Sequence, residues 1–176
     1  IYSFYAERVG VDIGCGYARV LSHVARLRPY KGPKEIEDWD EYVDQCYLVT
    51  HVVFTLTNWG EPALEPEPLP HEYSFIREHF QVAVRQSDVH LVGEYLECLR
   101  CFGASDADPL VQLGIAFLLA TQHPTSGRWD NDLDAYTSYH ATMVAAQALL
   151  AHNYRGYGPG LYSALPVLRG HLEAER

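Results

Sequence analysis

The chain has 176 residues, 48% of them hydrophobic and 12% aromatic, so it is too apolar to be disordered and long enough to bury one good core. Its 23 acidic residues outnumber its 13 basic ones, and the formal net charge of −10 makes it a poor partner for nucleic acids or anionic membranes. We therefore predict a single domain over residues 1–176 that binds no nucleic acid.

No apolar run reaches the roughly twenty residues that a membrane-spanning helix needs, so we predict no transmembrane segment. No signal-peptide pattern is visible from Ile1 onward. The cysteines at positions 15, 46, 98 and 101 are typical of reduced intracellular thiols, and we expect a cytoplasmic protein. Cys98 and Cys101 form a lone C-x-x-C without a second pair, which is weak support for a zinc or redox site.

Apolar residues recur at helical spacing along most of the chain, and strand-like alternation is nearly absent. The pattern predicts main helices over residues 14–28, 35–58, 71–85, 89–102, 109–122 and 134–152. Residues 61–70, with four prolines and several acids, are predicted to be a loop. Residues 156–176 are predicted to be a C-terminal tail that ends in a short helix. The predicted fold class is therefore all-α.

The segment from Phe117 to Trp129 combines an aromatic residue near a helix end with Gln122, a short loop and then Gly127-x-Trp129. This order resembles the QW repeat of squalene-type terpene cyclases, whose superfamily includes the protein prenyltransferases. In that superfamily the glutamine caps the end of an outer helix and the tryptophan stacks beside it. The resemblance covers one repeat, and it implies an α/α toroid in which helical hairpins surround a central cavity.

Paired in chain order, the six predicted helices make three hairpins, which is about half of the toroid that the resemblance implies. A missing segment, a complementary second chain or a homodimer would complete it, or else the bundle closes differently. If the hairpins follow the family, the second helix of each pair lines the inner wall. Each of those helices carries a histidine, namely His51, His90 and His140.

The helix that contains His90 leaves two interpretations open. His90, Glu94 and Glu97 stack along one side, opposite an apolar face, so they would face water in an ordinary amphipathic helix. The other interpretation is a polar cavity wall. In that case His90 and Glu94, one turn apart, have the spacing to bind a divalent metal such as zinc, iron or copper.

His51 lies among valines and Phe54 in the middle of its helix, so we expect it to be largely buried. It is either a satisfied core histidine or a metal ligand or acid/base group, with Asp44 two turns earlier on the same face. The candidate metal ligands are therefore Asp44, His51, His90 and Glu94.

Two further resemblances concern the chemistry around His140. Protein prenyltransferase β subunits carry a Tyr-His-Thr segment, similar to residues 136–142, whose histidine binds zinc, and an Asp-x-Cys similar to residues 44–46. Class II terpene cyclases carry an Asp-x-Asp-Asp acid at the mouth of an inner helix, where this chain has Asp-Asn-Asp-Leu-Asp over residues 130–134. The resemblance thus implies Asp132, Asp134 and His140 as catalytic candidates. Acids before a helix also simply cap it.

Our leading functional hypothesis is an enzyme of small-molecule metabolism, similar to a terpene cyclase or prenyltransferase. It would hold an apolar, isoprenoid- or acyl-like substrate in a central cavity and use acid/base or metal-assisted chemistry. The alternative is a noncatalytic helical scaffold whose partner is another protein chain. The 13 tyrosines and three tryptophans suit an aromatic pocket for an apolar or cationic ligand, and they suit ordinary packing equally well.

Overall fold

The structure, a computed structural model, describes residues 1–129, 135–150 and 154–174, and this part of the chain is all-α, which confirms the predicted fold class. The α-helices of these ranges are α1 (Tyr2–Arg8), α2 (Tyr17–Leu21), α3 (Trp39–Thr57), α4 (Pro70–Arg85), α5 (Val89–Cys101), α6 (Pro109–Thr121), α7 (Ala135–Leu149) and α8 (Leu165–Ala174). Short 3₁₀ turns occur at Val24–Leu27 and Tyr162–Ala164. None of the helices described is long and apolar enough to cross a membrane.

Local capping signals fix where the long helices begin. Asp38, Asp88 and Asp108 precede α3, α5 and α6, and each side chain accepts a hydrogen bond from a backbone N–H of the first turn. Pro70 and Pro109 begin α4 and α6, where their missing N–H groups cost nothing. The predicted bounds of these four helices consequently lie close to the observed ones.

The N-terminal region departs from the prediction. We expected one helix over residues 14–28, but the structure has the short α2 followed by the 3₁₀ turn Val24–Leu27, and α1 precedes both. Val20 and Leu27 belong to the apolar pattern yet are exposed. The pattern was therefore not one continuous buried stripe, and a single long helix is not stabilised there.

The long helices form two layers. α3, α5 and α7 lie side by side in what we call the front layer, and α4 and α6 pack behind α5 as the back layer. α5 contacts all four of the other helices, and every residue from Leu91 to Phe102 is buried. The second helix of each predicted hairpin thus belongs to the front layer, whereas closure into a toroid is not confirmed.

The three front-layer helices run parallel in a constant register. Three side-chain contacts join α3 to α5 at sequence offsets of 43 or 44 residues: Tyr47 with His90, Thr50 with Glu94, and Thr57 with Cys101. Two contacts join α5 to α7 at an offset of 50 residues: His90 with His140, and Glu97 with Gln147. Because the offsets stay constant, each turn of the layer brings residues of all three helices to the same level.

Two helical glycines permit the close packing around α5. A Cβ built on Gly93 would lie 2.8 Å from Cγ1 of Val144 on α7. A Cβ on Gly114 of α6 would lie 2.8 Å from the ring of Phe80 on α4. Glycine inside a helix is about 0.5–1 kcal/mol less favourable than alanine, so the tight packing at these positions must outweigh that cost.

A buried ion pair ties the N-terminal region to α4. The fully buried Glu72 carboxylate accepts hydrogen bonds from Arg28 Nε and Nη2 at 3.0 and 2.6 Å and from the Tyr30 hydroxyl at 2.6 Å. A bidentate guanidinium with a further hydrogen bond compensates the desolvation of a buried carboxylate. This protein therefore neutralises Glu72 with a cation of its own.

The QW-like segment does not make the contacts that the resemblance implies. The Trp129 indole N–H donates to the Leu118 carbonyl in the last turn of α6, at 2.6 Å. The Gln122 amide instead donates to the Gly127 carbonyl within the following loop, at 2.9 Å. The tryptophan rather than the glutamine thus satisfies a carbonyl at the helix end.

Gly93→Ala should destabilise the protein, because the new methyl group meets Val144 and forces α5 and α7 apart. We expect a net loss of about 1 kcal/mol or more, since overpacking costs about 1–3 kcal/mol and the gain in helix propensity is smaller. Unfolding in urea measures the change. The control is Gly170→Ala on α8, where nothing lies within 4 Å of the new Cβ and a small stabilisation is expected. Equal stabilities for Gly93→Ala and the parent would contradict the packing described.

Candidate functional site

A cleft with a volume of about 530 Å³ opens against the front layer. Its lining takes residues from three successive levels of the layer, which we call upper, middle and lower. The upper level contains Tyr47, His90 and His140, the middle level His51, Glu94 and Val144, and the lower level Phe54, Glu97 and Gln147. Tyr5 of α1 and Trp59, just after α3, line the cleft as well. The register of three parallel helices therefore places histidines and carboxyl groups from distant parts of the chain in one cleft.

At the upper level, both ring nitrogens of His90 are engaged. Nδ1 lies 3.0 Å from the Tyr47 hydroxyl, and Nε2 lies 3.1 Å from Oε1 of Glu94. When Glu94 is ionised and His90 is neutral, the carboxylate only accepts, so Nε2 carries the proton and the Tyr47 hydroxyl donates to Nδ1. Oε2 of Glu94 lies 2.5 Å from the Thr50 hydroxyl. The chain of hydrogen bonds thus fixes the ring of His90 and both oxygens of Glu94.

His140 lies beside this network. Its ring meets the edge of His90 with centroids 4.4 Å apart and stacks on Tyr136 at 5.2 Å. Burial lowers the pKa of His140, and the neighbouring His90 and His51 lower it further, against an opposing effect of Glu94. His140 is accordingly a neutral imidazole at neutral pH.

At the middle level, a backbone contact sets the tautomer of His51. Nδ1 lies 2.5 Å from the Tyr47 carbonyl oxygen, one turn earlier on α3. A carbonyl oxygen can only accept, so Nδ1 carries the proton and Nε2 is the basic nitrogen of the neutral ring. His51 lines the cleft and is therefore equipped to accept a proton from a ligand.

At the lower level lies Glu97, which is only 3% exposed. The Gln147 amide donates to Oε1 of Glu97 at 2.5 Å. Burial raises the pKa of Glu97 to about 8; the Gln147 amide opposes the shift, and Glu94 adds to it. Glu97 is thus largely protonated at neutral pH, and its carboxyl group can donate a proton or a hydrogen bond.

The structure brings together four of the predicted site residues: His51, His90, Glu94 and His140 all line the cleft. Asp44 is exposed and does not belong to the lining, so the structure does not place it beside His51 in the cleft. Asp44 lies about one helical turn before Tyr47, the first residue of α3 in the cleft lining. Asp132 and Asp134 lie outside the described residues.

The interpretation of His90, Glu94 and Glu97 as a water-facing stripe is wrong for the two carboxyl groups, which are 2% and 3% exposed. They form part of a cavity wall, because α5 is covered by the rest of the front layer as well as by the back layer. Glu97 was visible in the sequence as the next member of that stripe. Tyr5 and Trp59 could not have been found in this way, since no periodicity links them to the front-layer helices.

The arrangement does not fit a metal ion. Within the described residues, no group of three or more His, Cys, Asp or Glu side chains is placed to hold one. His90 has both nitrogens in hydrogen bonds, and Nδ1 of His51 is bonded to the backbone. We therefore derive no chemistry through a metal, and metal binding by Asp44, His51, His90 and Glu94 stays a prediction.

A second cavity, of about 640 Å³, runs along α7. Arg128 is the one charged residue among the described side chains that line it, and the others are alanines, Tyr139, Met143 and small hydroxyl residues. It therefore lacks the combination of acids and bases that the cleft contains, and we place the chemistry in the cleft.

Glu97→Gln should remove a pH dependence of stability. The folded protein keeps Glu97 protonated up to about pH 8, whereas the unfolded chain releases that proton near 4.5. Between these values the folded state binds more protons, so its stability falls as pH rises, by up to about 1.4 kcal/mol per unit, and levels off above pH 8. Urea unfolding across this window measures the slope.

The matched control for this experiment is Glu67→Gln, which removes one exposed carboxyl group from the loop before α4. It should retain the slope of the parent protein. Parallel stability curves for the parent and Glu97→Gln would show that Glu97 titrates normally.

Comparison with known proteins gives a family without an assigned activity. A family model described as a domain of unknown function (DUF6895) matches residues 34–150. No curated protein and no solved structure matches the chain. The matched range contains α3 to α7, and hence every histidine and carboxyl group of the cleft, while Tyr5 lies outside it. The chain belongs to the DUF6895 family.

Proposed function

We propose that this protein is an enzyme of small-molecule metabolism that transfers protons to and from a substrate held in the cleft. The observation that carries the proposal is a protonated carboxyl group in the same cavity as a histidine whose Nδ1 is bonded to the backbone, which leaves Nε2 to accept a proton. Burial raises the pKa of Glu97 to about 8, while His51, one level above it, presents a basic Nε2. A carboxyl group that holds its proton and an imidazole nitrogen placed to accept one are what general acid–base catalysis requires.

The reaction class that suits this pair is an isomerisation or elimination. His51 Nε2 would take a proton from one substrate atom, and the Glu97 carboxyl group would give its proton to another atom or to a leaving group. The substrate gains one proton and loses one, so no oxidant or reductant is needed. Exchange with water then returns Glu97 to the acid and His51 to the neutral base.

The residues around this pair have supporting roles in the proposal. Glu94 and Tyr47 hold His90 in one orientation through its two nitrogens, and His140 packs against the His90 ring. A rigid polar wall of this kind positions a substrate without moving during the reaction. Phe54, Trp59 and Tyr5 supply an aromatic surface for the apolar part of the substrate. An isoprenoid- or acyl-like chain has the apolar character that this surface favours.

A noncatalytic scaffold is the second candidate, and one feature of the back layer favours it. α6 is apolar around its whole circumference, yet only Val111, Gly114 and Leu118 are fully buried, and Leu119 is exposed. Helices that are apolar on every side are usually covered by other protein. A scaffold that binds a partner chain through α6 would need no chemistry in the cleft.

Deuterium incorporation separates the two candidates. The purified protein is incubated in ²H₂O with a small-molecule extract of the cells that make it, and mass spectrometry detects compounds that gain deuterium at carbon or disappear. A proton-transfer enzyme labels or consumes a specific compound. We expect His51→Gln and Glu97→Gln to lower the rate at which this compound is labelled or consumed by about 10²-fold or more, because each removes one proton-transfer group.

Glu67→Gln is the control and should act like the parent protein, since Glu67 lies in an exposed loop. Two results would contradict the proposal. One is an extract that the parent protein leaves unchanged. The other is a labelling rate that survives both substitutions in the cleft.

A further inference from the structure

We infer that the substrate of the cleft is an uncharged carbonyl compound, a ketone or aldehyde with an apolar skeleton, whose oxygen accepts a hydrogen bond from Oε2 of Glu97 while Nε2 of His51 faces a neighbouring carbon. The inference rests on the proposed function and names its substrate class and its reaction, which moves a proton between carbon atoms through an enol. It depends on the two side-chain atoms that the hydrogen bonds of the cleft leave available, on the acid strength of Glu97 and on the charges of the lining.

The hydrogen bond between Glu97 and Gln147 leaves one oxygen of the carboxyl group for a ligand. Among the described residues, the Glu97 side chain has one hydrogen-bond partner, the Gln147 amide, which donates to Oε1 at 2.5 Å. A protonated carboxyl group accepts best at its carbonyl oxygen, so the proton lies on Oε2. Because Glu97 lines the cleft, this O–H group is a hydrogen-bond donor for a ligand bound there.

The contact of His51 with the backbone leaves one acceptor, Nε2, one level above Glu97. The Tyr47 carbonyl oxygen holds Nδ1 at 2.5 Å. Adjacent levels are about one helical turn, roughly 5.4 Å, apart. A carbonyl oxygen and the carbon next to the carbonyl group are separated by only two bonds, and a contact of about 3 Å at each end extends that span. One small functional group can thus meet the donor on one level and the acceptor on the next.

The acid strength of Glu97 favours a carbonyl oxygen over other proton acceptors. Burial raises the pKa of Glu97 to about 8. An acid this weak does not protonate an alkene or an epoxide, because the protonated forms of those groups are far stronger acids than Glu97. A carbonyl oxygen needs only a hydrogen bond at first, and it becomes basic as the proton leaves the neighbouring carbon. A buried, protonated carboxyl group is well suited to stabilise the charge that develops there.

The lining of the cleft favours a substrate without charge. None of the described side chains that line it belongs to Lys or Arg, so a carboxylate or phosphate group would find no permanent cation there. Phe54, Met143 and Val144 add apolar surface, and the volume of about 530 Å³ is usual for a small-molecule site. Trp59 adds an indole, which a strained turn with a φ of +57° holds at the cleft. An uncharged molecule with a hydrocarbon skeleton fits these walls.

The proposed step moves a proton without a change of oxidation state. His51 Nε2 removes a proton from the carbon next to the carbonyl group, and the electron pair of that C–H bond forms a carbon–carbon double bond. The carbonyl π pair moves onto the oxygen, which takes the proton from Oε2 of Glu97. The enol then returns its O–H proton to Glu97, and the His51 imidazolium gives its proton to the same carbon or to a conjugated one. Both residues regain their starting states, and the product is the substrate or its isomer.

Three probes of matched shape test the substrate class. Naphthol resembles the enol, because its O–H group lies on a planar, conjugated carbon, whereas naphthalene lacks the oxygen and naphthoate carries a charged carboxylate in its place. Titration calorimetry with the full chain at neutral pH measures their binding. We expect naphthol to bind about tenfold or more tightly than naphthalene, because it alone pairs with Glu97 and His51, and naphthoate to bind most weakly.

Two variants locate the binding. Glu97→Met removes the O–H group at a similar size and should abolish the preference for naphthol over naphthalene, whereas Glu67→Gln should keep it. Equal binding of naphthol and naphthalene to the unaltered protein, tightest binding of naphthoate, or no binding of any probe would overturn the inference.

The position of the deuterium label in the extract experiment is a second readout, made on the unaltered protein, that no folding defect can affect. We expect the label on a carbon next to a carbonyl group or conjugated with one. A label on any other carbon, or the loss of a leaving group, would remove the carbonyl substrate and leave the proposed proton transfer standing. An extract in which no compound is labelled or consumed would contradict the proposed function itself, and the inference with it.

Discussion

The parallel, in-register packing of α5 between α3 and α7 determines where the polar residues of the front layer lie. It brings Gly93 against Val144, where a methyl group has no room, and it keeps the offsets between neighbouring helices constant. Because the back layer covers the opposite side of α5, Glu94 and Glu97 of this helix lie against the cleft. The burial of Glu94 and Glu97, and with it the proton chemistry we propose, follows from that packing.

Local signals in the sequence were sufficient to predict the helices of the two layers. Aspartate caps and first-turn prolines mark the helix starts, and apolar spacing gives their lengths. The same information could not say whether the stripe of His90, Glu94 and Glu97 meets water or a cavity, since that depends on which helices flank α5. The ion pair of Arg28 with Glu72 was equally invisible, because 44 residues separate its partners.

The candidate site was predictable only in part, for a related reason. The sequence showed one histidine in the second helix of each predicted hairpin. The structure places all three of them in the cleft. Trp59 and Tyr5 enter the lining through a strained turn and a short N-terminal helix, neither of which has a periodic signature. The resemblance to the QW repeat predicted a local contact at the end of α6, but Trp129 makes it in place of Gln122. A short motif thus indicates where a helix ends better than it indicates which reaction a fold performs.

The front layer buries the Glu97 carboxyl group, bonded to the Gln147 amide, in the cleft that His51, His90 and His140 also line. Carbon-13 NMR of the glutamate side-chain carboxyl groups, recorded as a function of pH on the folded protein, tests it most directly. We expect one resonance that titrates near pH 8 and is missing from the spectrum of Glu97→Gln. A spectrum in which every glutamate carboxyl group has ionised by about pH 6 would contradict it.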